Sequence, residues 1–199
     1  MINGAVIKQI VELDSSFSVL AERFPSYPLV GTPKKMASPF ESLVRTIIGQ
    51  QLSGKAAQTI ADRLKEHLEI VPSALHAANF SELRSIGLSS AKARSIQELA
   101  TRVVDGLDLL KLVDQPEAEI RTVLTQIWGI GNWTVDMFLM FDLHQPDIWP
   151  INDLGVQKGW QRLHDQPERP TPQELQNLGE RFLGIRSAVA WYCWRALEV

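Results

Sequence analysis

Apolar residues recur along most of this chain at the three-to-four-residue spacing of amphipathic helices. The clearest case is SPFESLVRTIIGQ. There Ser38, Pro39 at the first helical position and Glu41 spell a capping box, and Phe40, Leu43, Val44, Ile47 and Ile48 form one apolar face. Similar signals recur downstream. Asn79 is followed by Glu82, Ser89 precedes AKARSIQELATRVV with Gly106 beyond it, Asp114-Gln115-Pro116-Glu117 precedes IRTVLTQI, and Thr171-Pro172-Gln173-Glu174 precedes LQNLGERF. Alternating runs of strand length are almost absent; the best stretch, Asp147 to Ile151, is interrupted by Pro150. The pattern predicts an all-α chain of about ten helices.

Two segments, LRSIGLSSAKARSI and LTQIWGIGNWTVDMF, share the plan of helix, tight glycine turn, helix. In the second, Ile120, Val123, Leu124 and Ile127 carry the apolar period up to Gly129-Ile130-Gly131, and a new helix starts at once with Asn132 as its cap. Such a turn removes side-chain bulk and leaves backbone N–H groups pointing outward, where they can hold a phosphate oxygen with help from the helix dipole. The same pattern also suits an ordinary antiparallel helix pair. Downstream lies FDLHQPDIWPINDLGVQKGW. Here Asp153 sits 22 residues after Gly131, behind Pro150, at the start of a helix carrying Leu154, Val156 and Trp160. An aspartate there serves as an N-cap, and that role is compatible with a chemical one.

Composition sets limits on this picture. The 199 residues, 45% hydrophobic and 22% charged, suffice for one domain or for two small lobes. Cys193 is the only cysteine, which leaves no disulfide framework, no four-cysteine zinc site and no set of thiolates for an iron–sulfur cluster. No stretch approaches the ~20 apolar residues of a membrane span and the N-terminus lacks a signal-peptide plan, so a cytoplasmic, soluble protein is expected. The net charge of -3 counts against nucleic acid. Yet Arg84, Lys92, Arg94 and Arg102 lie in a stretch where Glu98 is the only acid.

WGIGNWTVDMFLMF followed by WPINDLGVQKGW resembles the hairpin, Gly/Pro-rich loop and aspartate of the helix-hairpin-helix DNA glycosylases. Within that superfamily it is most similar to the short form of the DNA-3-methyladenine glycosylase II family. The likeness runs over about 160 residues, from SPFESLVRTIIGQQLSGKAAQTIADRL through GLSSAKARSI to RSAVAWYCWRAL. It implies two helical lobes, 1–51 plus 150–199 and 52–149, with a DNA-binding cleft between them. It also implies a monomer that flips an alkylated purine, such as 3-methyladenine or 7-methylguanine, out of double-stranded DNA and hydrolyses its N-glycosidic bond. Asp153 is then the acting carboxylate. Breaking that bond builds positive charge on the deoxyribose, which a buried anion stabilises while orienting or deprotonating water.

The resemblance places Trp133, Met137, Phe40 and Leu154 around the flipped base; Trp133 also reads as a core residue. Relatives that cut the backbone carry a Schiff-base lysine at the Trp133 position, so a monofunctional enzyme without lyase activity is expected. Gln51, with Leu52, falls where the family inserts a wedge into the vacated stack. A solvated loop glutamine is the other reading of Gln51. Gly129, Ile130, Gly131, Asn132 and Thr134 at the hairpin are expected to touch DNA, as are Ser53, Lys55, Ser89, Ser90 and Lys92 at helix starts. By resemblance, the carbonyls of Thr125, Ile127 and Ile130 would hold a sodium or potassium ion; no other cofactor and no iron–sulfur cluster is expected.

The likeness weakens at RFLGIRSAVAWYCW, where Phe182, Gly184 and Ile185 replace the family's aromatic run and leave one stacking wall missing. Trp191 and Trp194 read as core. Three rival readings stay open: a glycosylase for uracil, deaminated or oxidised bases; a non-catalytic helix-hairpin-helix DNA-binding module, which would not need Asp153; and a helical protein-interaction domain.

Overall fold

The computed structural model describes residues 2–28 and 38–199. All regular structure among them is helical: thirteen α-helices, two 3-10 turns and no strand. The all-α expectation holds, and the helices outnumber the expected ten or so for a local reason. Ser18–Arg23, Pro72–Ala77, Phe80–Ser85 and Leu109–Leu112 are six residues or shorter, too brief for the apolar period to register. Residues 147–151 form turns rather than a strand. No helix of the described residues is long and apolar enough to cross a membrane.

Side-chain caps account for most of the helix starts seen in the sequence. Ser38, Ser53, Ser89 and Thr171 each accept a first-turn backbone N–H. Only Thr171 with Glu174 completes a capping box among the described residues. At Ser38 the Glu41 carboxylate instead takes Arg45 through two hydrogen bonds of 3.1 and 3.0 Å. Asn79 makes no side-chain cap bond, and Pro116 rather than Asp114 occupies the cap position of Glu117–Leu124. Asn132, expected as a cap, is the first residue of its own helix, and the Gly131 carbonyl accepts the first bond from Val135 N–H at 3.2 Å.

The chain divides into two compact units, Met1–Pro33 with Leu139–Val199, and Lys34–Phe138. The helix Pro39–Gly49 falls in the second unit together with the hairpin, whereas the 1–51 and 52–149 grouping set it with the chain ends. Side chains tie it there: Lys92 Nζ donates to the Ile48 carbonyl at 2.8 Å.

In the first unit the Phe17 ring meets Trp160, Phe182 and Tyr192 edge-on, with centroids 6.0 to 6.4 Å apart. Beside that cluster Asp14 accepts from His164 at 2.8 Å and Arg181 at 2.6 Å. Burial opposes the charge on Asp14, but hydrogen bonds from His164 and Ser16 outweigh it and hold the carboxyl below its ordinary range. Packing between Leu154–Leu163 and Arg186–Ala196 is closer still. A β-carbon on Gly159 would run into the Cys193 carbonyl, so the two backbones touch where only glycine fits. The close approach brings Trp194 to the start of the first helix, where a β-carbon on Gly155 would lie 2.7 Å from the indole.

Gly159→Ala is therefore expected to cost ~1–3 kcal/mol or more by overpacking, a fall in Tm of a few to about ten degrees. Calorimetry of the variant checks this; an unchanged Tm would show that the helix contact relaxes freely.

Candidate active site

The carboxylate of Asp153 is built by local and distant parts of the first unit together. Asp153 caps the helix Leu154–Leu163, its Oδ1 accepting the Val156 N–H at 2.7 Å. The same oxygen accepts Trp194 Nε1–H at 2.8 Å, from a residue 41 positions further along. With 9% of its surface exposed, the carboxylate is nearly enclosed, and two donors hold its Oδ1 at the start of the helix. The buried Cys193 thiol registers that charge: burial first, then the negative charges of Asp14 and Asp153, push its ionisation far above the usual thiol range. Trp194, read from the sequence as core, is thus a hydrogen-bond donor to the expected catalytic residue. It is half-buried and stacks on the exposed ring of Phe141, with centroids 5.6 Å apart at 30°. Trp191, in contrast, packs edge-on against Phe24, Tyr27 and Tyr192.

The missing aromatic wall is not supplied by the 182–185 segment. Phe182 is fully buried, Ile185 is buried, and Gly184 turns at φ +89 with its N–H on the Asp147 carboxylate at 2.7 Å. Arg186 grips that same carboxylate through bonds of 2.7 and 2.8 Å, which fixes the segment. Leu154, assigned to the pocket, is 56% exposed beside Asp153.

The second unit holds the hairpin turn and its second helix as far as Phe138. The hairpin helices, Glu117–Leu124 and Asn132–Phe141, are braced by Arg121, whose Nη1 donates to Asp136 at 2.8 Å and Nη2 to Glu117 at 2.6 Å. In the turn, Gly129 adopts φ +82 and lies so close to Ser95 that a β-carbon would fall 2.7 Å from its side chain. Gly131 has neither a positive φ nor any neighbour within 4 Å of a built β-carbon. Gly129 carries the left-handed conformation of the turn, and Gly131 is open to whatever approaches the helix start. Gly131 and Asn132 are exposed there, while Ile130 is buried beneath.

Gln50, which no sequence signal marks, links two expected DNA-facing features. Its Nε2 donates to the Gly129 carbonyl at 3.0 Å and to Thr134 Oγ1 at 2.9 Å. Thr134 is 2% exposed, so its hydroxyl is engaged inside the unit. The next residue, Gln51, is exposed and held at φ +56, a left-handed conformation that costs a non-glycine residue ~1–2 kcal/mol. Leu52 is also exposed. Ser53 caps Gly54–His67, and Lys55 is exposed on its first turn. Ser89 caps Ser90–Val104, and the Lys92 ammonium, destabilised by burial, is tied to the Ile48 carbonyl. Trp133 is half-buried, and Met137 and Phe40 are buried. The Thr125 and Ile130 carbonyls accept no backbone hydrogen bond among the described residues; that of Ile127 accepts Ile130 N–H at 3.1 Å.

Residues 44–184 match the family described as HhH-GPD superfamily base excision DNA repair protein. The chain belongs to this superfamily. This HhH-GPD protein is similar to DNA-3-methyladenine glycosylase 1 of Schizosaccharomyces pombe, 33% identical over 194 residues that cover 94% of this chain and 84% of that one. Among solved structures, it is similar to a Schizosaccharomyces pombe 3-methyladenine DNA glycosylase in complex with abasic DNA. That likeness has a TM-score of 0.86 at 30% identity and covers 98% of this chain and 97% of that one. It is also similar to a DNA-3-methyladenine glycosidase from Bacillus halodurans, with a TM-score of 0.74 at 33% identity over 96% and 88% of the two chains.

The two hairpin glycines are expected to separate fold from binding. Gly129→Ala should destabilise the protein by more than ~1 kcal/mol, since alanine meets both a positive φ and Ser95. Gly131→Ala should melt like the wild type yet bind DNA more weakly. A Gly131→Ala variant that binds normally would remove the anion site from the hairpin.

Proposed function

We propose that this protein is a monofunctional DNA glycosylase of base excision repair, acting as a monomer on double-stranded DNA. It flips out an alkylated purine, such as 3-methyladenine or 7-methylguanine, and hydrolyses the N-glycosidic bond. The observation that carries this reading is the enclosed Asp153 carboxylate, aimed by Val156 N–H and Trp194 Nε1–H in a chain whose similar proteins are named as 3-methyladenine glycosylases.

As the bond from C1′ to the base nitrogen lengthens, positive charge grows on the deoxyribose, and the fixed negative charge of Asp153 stabilises it. Water adds to C1′ and loses a proton to the carboxylate, while the base departs with the bonding electrons. A cationic alkylated base leaves as a neutral molecule, so no strong general acid is required. The stacked Phe141 and Trp194 rings offer an aromatic surface beside Asp153, where the 182–185 segment offers none. We assign Trp133, Met137, Phe40 and Leu154 to the flipped base and Gln51 with Leu52 to the wedge. The left-handed, exposed backbone of Gln51 supports the wedge.

For phosphate contact we assign the start of Asn132–Phe141, with Gly129, Ile130 and Gly131, and the helix starts at Ser53, Lys55, Ser89 and Lys92. The main-chain oxygens of Thr125, Ile127 and Ile130 suit a hard monovalent cation, which would supply positive charge to a DNA phosphate.

Asp153→Asn keeps an Oδ1 acceptor for Val156 and Trp194, so helix cap and fold should persist. Release of bases from methylated duplex DNA, followed by chromatography, should fall by at least ~100-fold, about 2.7 kcal/mol in the barrier. Near-normal turnover would end the catalytic assignment. With Trp133 in place of an amine, the product should be an intact abasic strand and borohydride should trap no covalent complex. A trapped adduct would make another amine, such as the exposed Lys158, the nucleophile.

A further inference from the structure

The helix Ser90–Val104 presents Arg94 to solvent, and its guanidinium lies over the Trp128 ring at 4.2 Å from the centroid. Arg94 makes no ion pair and no side-chain hydrogen bond among the described residues, and Trp128 Nε1–H donates to none of them. Glu98, one turn along the helix, is engaged by Arg102 at 3.1 Å. Three features are thus assembled at one place: a planar fork of unused donors, held flat by stacking; an exposed indole; and the exposed Phe80 ring. These side chains line an open groove of about 430 Å³ with Ser90 and Gln97. Trp128 immediately precedes Gly129, so the groove is continuous in the chain with the hairpin.

We propose that Arg94 and Trp128 form a second DNA-backbone site. Arg94 takes the phosphate next along the strand held by the hairpin, and Trp128 with Phe80 packs against the intervening deoxyribose. This rests on the DNA-glycosylase reading above. Three features favour DNA over a protein segment. Arg94 has no acidic partner of its own. Its five donors in one plane match phosphate geometry. A net charge of -3 gives no long-range attraction to a polyanion, so anchoring has to come from local cations beside the hairpin. The Lys92 ammonium spends one of its three donors on the Ile48 carbonyl, whereas Arg94 makes no such bond and keeps its whole fork for a phosphate.

The test is fluorescence anisotropy with a duplex carrying a stable abasic-site analogue, titrated with salt. Wild type is compared with Arg94→Ala, Arg94→Lys and Trp128→Leu, each checked for an unchanged melting curve. Arg94→Ala is expected to weaken binding about tenfold and to lower the salt slope by about one unit. Arg94→Lys should restore the slope while recovering only part of the affinity, because an ammonium lacks the planar fork. Trp128→Leu should weaken binding several-fold at an unchanged slope. If the wild type binds and excises but Arg94→Ala keeps the wild-type slope, the second phosphate site is wrong, the glycosylase reading stands, and the groove is left to a protein partner. If the wild type neither binds this duplex nor releases bases from methylated DNA, the underlying reading fails and this site with it.

Discussion

The helices Leu154–Leu163 and Arg186–Ala196 touch backbone to backbone at Gly159 and Cys193, and the setting of the Asp153 carboxylate depends on that contact. It sets the distance at which Trp194 reaches across the space left by Gly155 to the cap of the neighbouring helix. A side chain at either glycine would push the indole away from Asp153. The cap then serves two ends: it satisfies an orphan N–H at the helix start, and it points a charged oxygen along a fixed direction. Low exposure strengthens the field of that charge, and two donors meet the cost of enclosing it.

The second unit solves a different problem. Under the proposed function an acidic chain holds a polyanion, and the dipoles and few placed cations assigned above would do so rather than overall charge. Gly129 takes the left-handed turn against Ser95, Gln50 pins the Gly129 carbonyl, and the Arg121 to Asp136 pair braces the two hairpin helices. Each of these contacts fixes where the amides at the start of Asn132–Phe141 point. The same glutamine borders Gln51, so the strained turn and the hairpin are parts of one packed arrangement.

Signals confined to a few residues were legible in the sequence. Ser38, Ser53, Ser89, Asp153 and Thr171 cap helices because a short polar side chain reaches only its own first turn. The all-helical class followed from the apolar period of the longer helices. Contacts between distant positions were not legible. Trp194 lies 41 residues from Asp153, and its spacing with Trp191 resembles that of any buried helix face. Gln50 lies 79 residues from Gly129, and nothing near it in sequence marks its amide as paired. Which of two glycines carries the positive φ depends on the neighbour each meets, here Ser95, and a Gly-Ile-Gly string does not encode that neighbour.

If Trp194 acts on the reaction only by holding Asp153, removing its N–H matters only while the carboxylate is there to be held. A double-mutant cycle of Trp194→Phe and Asp153→Asn, read as single-turnover base release from methylated duplex DNA, measures this coupling directly. Trp194→Phe alone is expected to slow release about tenfold, the loss of one hydrogen bond to a carboxylate, and to have no further effect in the Asp153→Asn background. Losses that multiply in the double variant would contradict it, because the indole would then act on the substrate independently of the carboxylate.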